Sequence, residues 1–513
     1  MREMAKKRED RQKGKKSGVD TECNLDGDYH SPIQSFREAN VENIKSVLVH
    51  SRYAQSLIIL TLLGFFLRVY NLGFNSLWLD EASTHSFAIM SIPDIWKATA
   101  GGEFNPPLFY WIEHLMLMLG NNEVVLRFVP ALLGVLTIPL IYFAGKEFMD
   151  RNVGIIAAAA FAFSPFLIFY SQEARSYSMM LFFVAFALVF YFKALKTNDL
   201  KDWALFGIFS ALAFWSHFYS FVIIAPLILY ALFLQIGNLK NNIQNLKMIT
   251  LSIVLFVVLC FPLIMLAIQL FATRTSSAPT FGIQGLGIIS ETFRQLSGFS
   301  DIPMFLFLIL FIIGIIQAFL IDKNKGIFLV TLTVLTFVIS FILSYKMPMQ
   351  PRYLIFFITI FFLGVAVSYK MFYSLINNRG VVYGFMAVLI LLSVTTPFFM
   401  SYYSGYSKED WKGFSGQIQQ MTKPGDLIVV VPGYISQPLN YYYSNASDQT
   451  FEFGVSTGKD LDAINAGKGN NTAFFIVTGD ISSANPNGDA IAWLNEHTKP
   501  LVQNTGIYLF VSA

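Results

Sequence analysis

Apolar stretches of about 17 to 25 residues recur between Ser56 and Met400, and each is long enough to cross roughly 30 Å of hydrocarbon. Backbone in hydrocarbon must satisfy its own N–H and C=O groups, so this patterning selects a polytopic α-helical membrane protein. About eleven spans are expected, near 56–72, 126–145, 153–171, 176–195, 202–216, 218–235, 248–271, 302–321, 326–345, 352–370 and 381–400. Composition agrees: 54% hydrophobic against 13% charged residues excludes an ordinary soluble chain.

The net charge of +3 is carried by loops rather than by a soluble basic face, so no nucleic-acid partner is expected. Residues 1–16, MREMAKKREDRQKGKK, hold eight Lys or Arg against three acids, and no apolar run follows before residue 56. The segment reads as a basic, disordered cytoplasmic tail over 1–52 rather than a cleavable signal; an anionic-lipid clamp or nucleic-acid arm is the alternative. With the N-terminus inside, the loops KEFMDRN, KALKTNDLK, GNLKNNIQNLK, DKNKG and KMFYSLINNRG all fall on the cytoplasmic side of the cell membrane, as positively charged loops prefer. The segment 107–119, PLFYWIEHLMLML, carries Glu113 and His114, and is read as an interfacial helix within an external loop over 72–125. Counting it as a span would invert every later loop.

A membrane domain over 53–403 is thus followed by a soluble extracytoplasmic domain over 404–513. There charge, Gly and Asn return, and the runs LIVVV from Leu427, AFFIV from Ala473 and IYLFV from Ile507 alternate with the helical patterns DWKGFSGQIQQM and DAIAWLNEH, predicting a small α/β layer. Asn445 and Asn470 head N-glycosylation sequons. Tyr434 and Tyr441 to Tyr443 serve either sugar stacking or core packing. Cys23 falls in the tail and Cys260 in a span, so neither a disulfide nor a cysteine metal site is expected.

The chemistry-bearing residues fall on the external side. LWLDEAS places Asp80 and Glu81 just after the first span, at headgroup depth, where a carboxylate can act as a base on a lipid-borne substrate or merely solvate a loop start. QEARSY contributes Glu173 and Arg175; the Arg can pair with a carboxylate or hold a phosphate oxygen, or the two mark a helix end. Asn105, before Pro106 and Pro107, reads as a rigid turn whose amide can also meet an acceptor hydroxyl. Arg352 and Tyr353 in PMQPRYL, with Lys346, suit a lipid phosphate or interfacial anchoring. His217 in WSHFYS is a substrate contact or a packed side chain. His85, four residues after Glu81, makes a weak metal pair with it.

LWLDEA, NPPL, LRFVPALLG (Leu126 to Gly134), SPFLIFYSQEARSY, PRYL, KEDWKG (Lys408 to Gly413) and KPGDLIVV together resemble the polyprenol-phosphate-sugar-dependent glycosyltransferases, the GT-C relatives of protein O-mannosyltransferases and the aminoarabinose transferase. The resemblance covers nearly all of the chain after residue 50. It implies that Asp80 is the general base with Glu81 its motif neighbour, that Glu173 and Arg175 match a second motif, and that Arg352 occupies a phosphate-binding position. The implied reaction is transfer of one sugar, mannose or another hexose or pentose, from a dolichyl or undecaprenyl monophosphate, with inversion, to an external hydroxyl on a protein, glycolipid or lipid-linked glycan. No cofactor is implied, and a divalent cation stays open. The 272–300 loop is too short for the β-trefoil insert of eukaryotic O-mannosyltransferases, and no WWD sequence occurs, which disfavours an oligosaccharyltransferase. The alternatives are a transporter or flippase for a lipid-linked substrate and a non-catalytic envelope scaffold.

Overall fold

A computed structural model describes residues 24–27, 29–31, 38, 40–103, 105–236, 243–275, 279, 281–443 and 456–512. Most of the basic tail, Cys23, the Asn445 sequon and part of the GNLKNNIQNLK loop lie outside the described residues.

Among the described residues seven helices are long and apolar enough to cross a membrane, or eight if one bent pair forms a single span. The expected eleven are not confirmed. Helix forms in all eleven stretches, but some are short. Gly380–Val394 has 15 residues, a rise of about 22 Å that falls short of roughly 30 Å of hydrocarbon. Leu200–Ser216 has 17 residues and Phe218–Phe233 is also short.

The bent pair, Arg151–Phe163 and Pro165–Ser171, turns by 60° because Pro165 has no N–H to give the carbonyl of Phe161. Arg68 of the first span, Arg52–Val69, supplies the missing donors: Nη2 donates to Phe161 O at 3.1 Å and Nη1 to Ala162 O at 2.9 Å. Beyond the bend, Gln172 donates Nε2 to the carbonyls of Leu67, Arg68 and Tyr70, which end the first span, while its Oε1 accepts from Tyr402 Oη at 2.7 Å. An apolar sequence thus breaks where polar side chains replace the lost helix bonds, and the QEARSY turn is pinned to the start of the external segment. Elsewhere the bundle closes on small residues: a Cβ on Gly314 would collide with the Gly364 carbonyl, so Asp301–Ile321 and Phe357–Val367 meet backbone to backbone.

Between the first span and Glu123–Phe148 lie three short helices, Leu79–Ala88, Ile92–Ala100 and Leu108–Met116. The last, with the single turn Leu117–Leu119, is the predicted 107–119 helix. Its Glu113 is buried, with no hydrogen bond to either oxygen, and burial raises its pKa well above the ordinary value.

The C-terminal region forms a four-stranded sheet in the order β1-β2-β4-β3: β1 (Leu427–Val431), β2 (Ala473–Thr478), β3 (Thr498–Asn504) and β4 (Ile507–Ser512). β1 and β2 run parallel, and β4 pairs antiparallel with both β2 and β3. β1 and β2 are buried along their whole length because helices cover both faces. Trp411, Phe414 and Leu439 pack on one face, and Leu461, Trp493 and Leu494 on the other. Leu79 of the acidic helix packs into the first of these cores, which joins the domain to the external segment.

Candidate active site

Asp80 and Glu81 occupy the first turn of Leu79–Ala88, where the helix dipole favours carboxylates. Adjacent residues on a helix point about 100° apart, and here the two acids face different surroundings. Glu81 is fully buried. Arg127 grips it through two parallel bonds, Nε to Oε1 at 2.7 Å and Nη2 to Oε2 at 2.6 Å. The three remaining N–H groups of that guanidinium go to the carbonyls of Leu72, Asn75 and Ser76, so all five donors are used. Ala174 N–H donates to Glu81 Oε1 at 2.8 Å, and Lys408 Nζ to Oε2 at 3.0 Å. Burial alone would raise the Glu81 pKa, but Arg127, Lys408 and these hydrogen bonds hold it down to about 2.

Asp80 instead faces a cavity of about 260 Å³, with its side chain 22% exposed. Arg352 Nη2 lies 3.3 Å from Oδ2 and Arg175 Nε 4.0 Å from it, while Arg175 Nη1 also donates to the Asp80 carbonyl at 3.1 Å. Arg352 stacks over the rings of Trp78 and Tyr353, at 5.4 and 5.6 Å. Burial opposes the charge on both arginines, and the Asp80 carboxylate beside them holds them charged.

The same cavity is lined by Asn105, His217 and Tyr353. Asn105 Nδ2 donates to Glu103 Oε1 at 3.1 Å, and Tyr110 Oη donates to the same oxygen at 2.8 Å. His217 is packed among Tyr177, Tyr219 and Tyr353, and its Nδ1 accepts from Tyr219 N–H at 3.3 Å. Burial, then the nearby Arg175 and Arg352, push its pKa down to about 3, so the ring is neutral. Glu173 is fully buried, with neither oxygen accepting a hydrogen bond; Lys408 Nζ is 3.5 Å away. Burial raises its pKa, offset in part by Lys408.

Two predicted features stand apart. Lys346 is exposed just past the end of Lys323–Ser344 and lines neither this cavity nor its neighbour, whereas Met347 lines both. The His85 and Glu81 pair does not form either. Glu81 is saturated by cations and an N–H, while His85 packs edge-on against Tyr441 at 4.7 Å. Among the described residues no group of three or more His, Cys, Asp or Glu is placed to hold a metal ion.

Sequence reasoning passed over Arg127, Lys408 and Glu103. Arg127 and Lys408 stand in LRFVPALLG and KEDWKG, but nothing local shows that their partner is Glu81. An Arg inside an apolar run was the available signal. Glu103 lines both the polar cavity and an adjoining apolar one of about 440 Å³, walled by Phe214, Phe256, Ile264 and Phe271. Phe218 and Met347 are shared walls as well. The arrangement offers a partly solvated carboxylate, two cations and hydrogen-bonding groups beside a greasy groove.

The family model for dolichyl-phosphate-mannose-protein mannosyltransferases matches residues 105–265. An uncharacterized protein of Aquifex aeolicus (strain VF5) is 27% identical over 132 residues, and the match spans 24% of this chain and only 26% of that relative. Among solved structures, ArnT from Cupriavidus metallidurans in the apo state superposes with a TM-score of 0.59 at 13% identity, covering 89% of this chain and 97% of that one. The same protein bound to undecaprenyl phosphate gives 0.55 at 11% identity, with the same coverage. The Archaeoglobus fulgidus oligosaccharyltransferase tethered to an acceptor peptide gives 0.55 at 14% identity over 91% of this chain and 75% of that one. These likenesses show the fold: the chain has an ArnT-like GT-C fold.

Proposed function

We propose that this protein transfers a single sugar from a polyprenyl monophosphate to an external hydroxyl acceptor, with Asp80 as the general base. The observation that carries the reading is the placement of Asp80: a carboxylate open to a polar cavity, within reach of Arg352 and Arg175, beside an apolar groove that a polyprenyl tail would fill. ArnT solved with undecaprenyl phosphate supports a lipid phosphate at such a fold, and the archaeal enzyme's tethered peptide supports an acceptor on the same fold.

In this mechanism the donor phosphate enters between Arg175 and Arg352 and takes over part of their pairing with Asp80. The acceptor hydroxyl then donates its proton to the Asp80 carboxylate as its oxygen attacks the anomeric carbon. The bond from that carbon to the phosphate oxygen breaks on the opposite face, giving inversion. The phosphate leaves with the bonding electrons, stabilised by the two guanidinium groups, and needs no acid. Neutral His217, Asn105 and Tyr353 orient sugar hydroxyls. Glu81 does not contact substrate; it sets the helix that carries Asp80. The acceptor side faces outside the cell membrane, with the N-terminus cytoplasmic.

The test is transfer by purified wild-type and Asp80→Asn protein in lipid, supplied with radiolabelled polyprenyl-phosphate mannose, glucose or aminoarabinose and a membrane extract. Asp80→Asn is expected to lose about 10³-fold or more in transfer while keeping its fold and donor binding. Full activity in that variant removes Asp80 from the reaction. Movement of labelled lipid across the bilayer without cleavage would favour transport instead.

A further inference from the structure

The helix that carries Asp80 starts without a side-chain cap, since Trp78 stands at the N-cap position and makes no cap hydrogen bond. Its lead-in is held from the C-terminal domain, more than 300 residues downstream. Ser407 N–H donates to Asn75 Oδ1 at 2.9 Å. Ser76 Oγ donates to Asp410 Oδ1 at 3.2 Å and accepts from Lys412 N–H at 3.0 Å. Leu77 N–H donates to Tyr442 Oη at 2.8 Å. Three consecutive residues before the acidic helix are therefore tied to the KEDWKG segment and to Ser436–Tyr442.

Lys408 completes this strap inside the protein. Its side chain is 8% exposed, its ammonium lies 3.0 Å from Glu81 Oε2 and 3.5 Å from Glu173 Oε1, and it sits over the rings of Trp78 and Phe169. Glu81 has Arg127 as a second cation, but Glu173 accepts no hydrogen bond at either oxygen. We infer that Lys408 is a positioning residue: one ammonium, delivered by the C-terminal domain, bridges two buried carboxylates and so keeps the first helical turn in place with Asp80 aimed into the cavity. This rests on the reading of Asp80 as the base. It makes the C-terminal domain a working part of the active site. A buried carboxylate stripped of its cation is costly, and whether it takes up a proton or moves, the first helical turn loses its tie to the C-terminal domain.

The experiment uses the full chain in lipid, with Lys408→Met, Lys408→Arg and the double variant Lys408→Met/Glu173→Gln. Lys408→Met is expected to lower kcat about 10- to 100-fold while donor KM moves less than about threefold, because Asp80 is misplaced but the phosphate-binding arginines are not. Lys408→Arg should keep at least about a third of the rate, and the double variant should regain about threefold or more over Lys408→Met, since the acid that needed the ammonium is gone. Amide exchange at residues 79–88, measured without substrate, should speed up about tenfold in Lys408→Met and stay unchanged in Leu200–Ser216. Wild-type kcat together with wild-type exchange in Lys408→Met overturns the inference. So does the absence of both the Arg rescue and the Glu173→Gln recovery, which would mark a general loss of fold. If wild-type protein transfers no sugar, the proposed function falls, while the exchange measurement still decides the role of Lys408.

Discussion

The two ends of the helix bundle use the same residue types in opposite ways. At the end away from Asp80, Lys196 pairs with Glu147, Arg151 with Asp26 and Lys370 with Asp150, and the cations stay partly exposed, from 23% for Lys370 to 51% for Lys196. At the Asp80 end Arg127, Lys408, Arg175 and Arg352 serve Asp80, Glu81 and Glu173 within one connected, largely buried network. A cation that stays in contact with water is partly screened and its pair contributes less, whereas a charge with both partners buried must be matched in full. The difference teaches that charge at one end marks a surface, and at the other end builds a site.

Substitutions at each end test this contrast. The largest effect is expected from Arg127→Met, which leaves Glu81 buried without its fork of donors and the carbonyls of Leu72, Asn75 and Ser76 without partners. A loss of about 3–5 kcal/mol is expected, read as a lowered thermal midpoint in detergent or lipid. Survival of a wild-type midpoint would break the comparison. Arg352→Gln removes a cation from the cavity rather than from the scaffold, so kcat should fall about 100-fold with the midpoint little changed.

Acid titration separates the ends more finely. Glu81 is depressed to about 2 in the folded protein from an ordinary value of 4.5, so its contribution is fully present above that ordinary value and is lost as pH falls through about 2. Thermal midpoints recorded down the pH scale should therefore show an acid-induced drop that Glu81→Gln flattens. The smallest effect belongs to Lys196→Met at the far end, where the lysine side chain is 51% exposed. A change under about 1 kcal/mol and unaltered transfer are expected there. A large loss of activity from that variant would show that the two ends are coupled.

Much of this was legible from residue pattern. Hydrocarbon requires long apolar helices, and the C-terminal strands alternate with amphipathic helices as their sequences predict. Asp80, Asn105, Arg175, His217, Arg352 and Tyr353, drawn from five separate stretches, do line one cavity. The span count was not legible, because it turned on how a helix responds to Pro165 and on stretches too short to cross. The division of labour between Asp80 and Glu81 was not legible either. Two adjacent acids look alike until one is placed against Arg127 and the other against open space. Lys408 was visible in KEDWKG, yet its partner lies 327 positions away.

By itself the sequence determined that the chain is a membrane-embedded helical bundle followed by a small α/β module, since periodicity and hydropathy are local properties of the chain. It also determined which residue types were available for chemistry at the helix ends. Only the tertiary structure decided which acid is buried and which is open to the cavity, and which cations each one meets. Those outcomes depend on burial and on distances of a few ångströms between distant segments, and no local pattern encodes them.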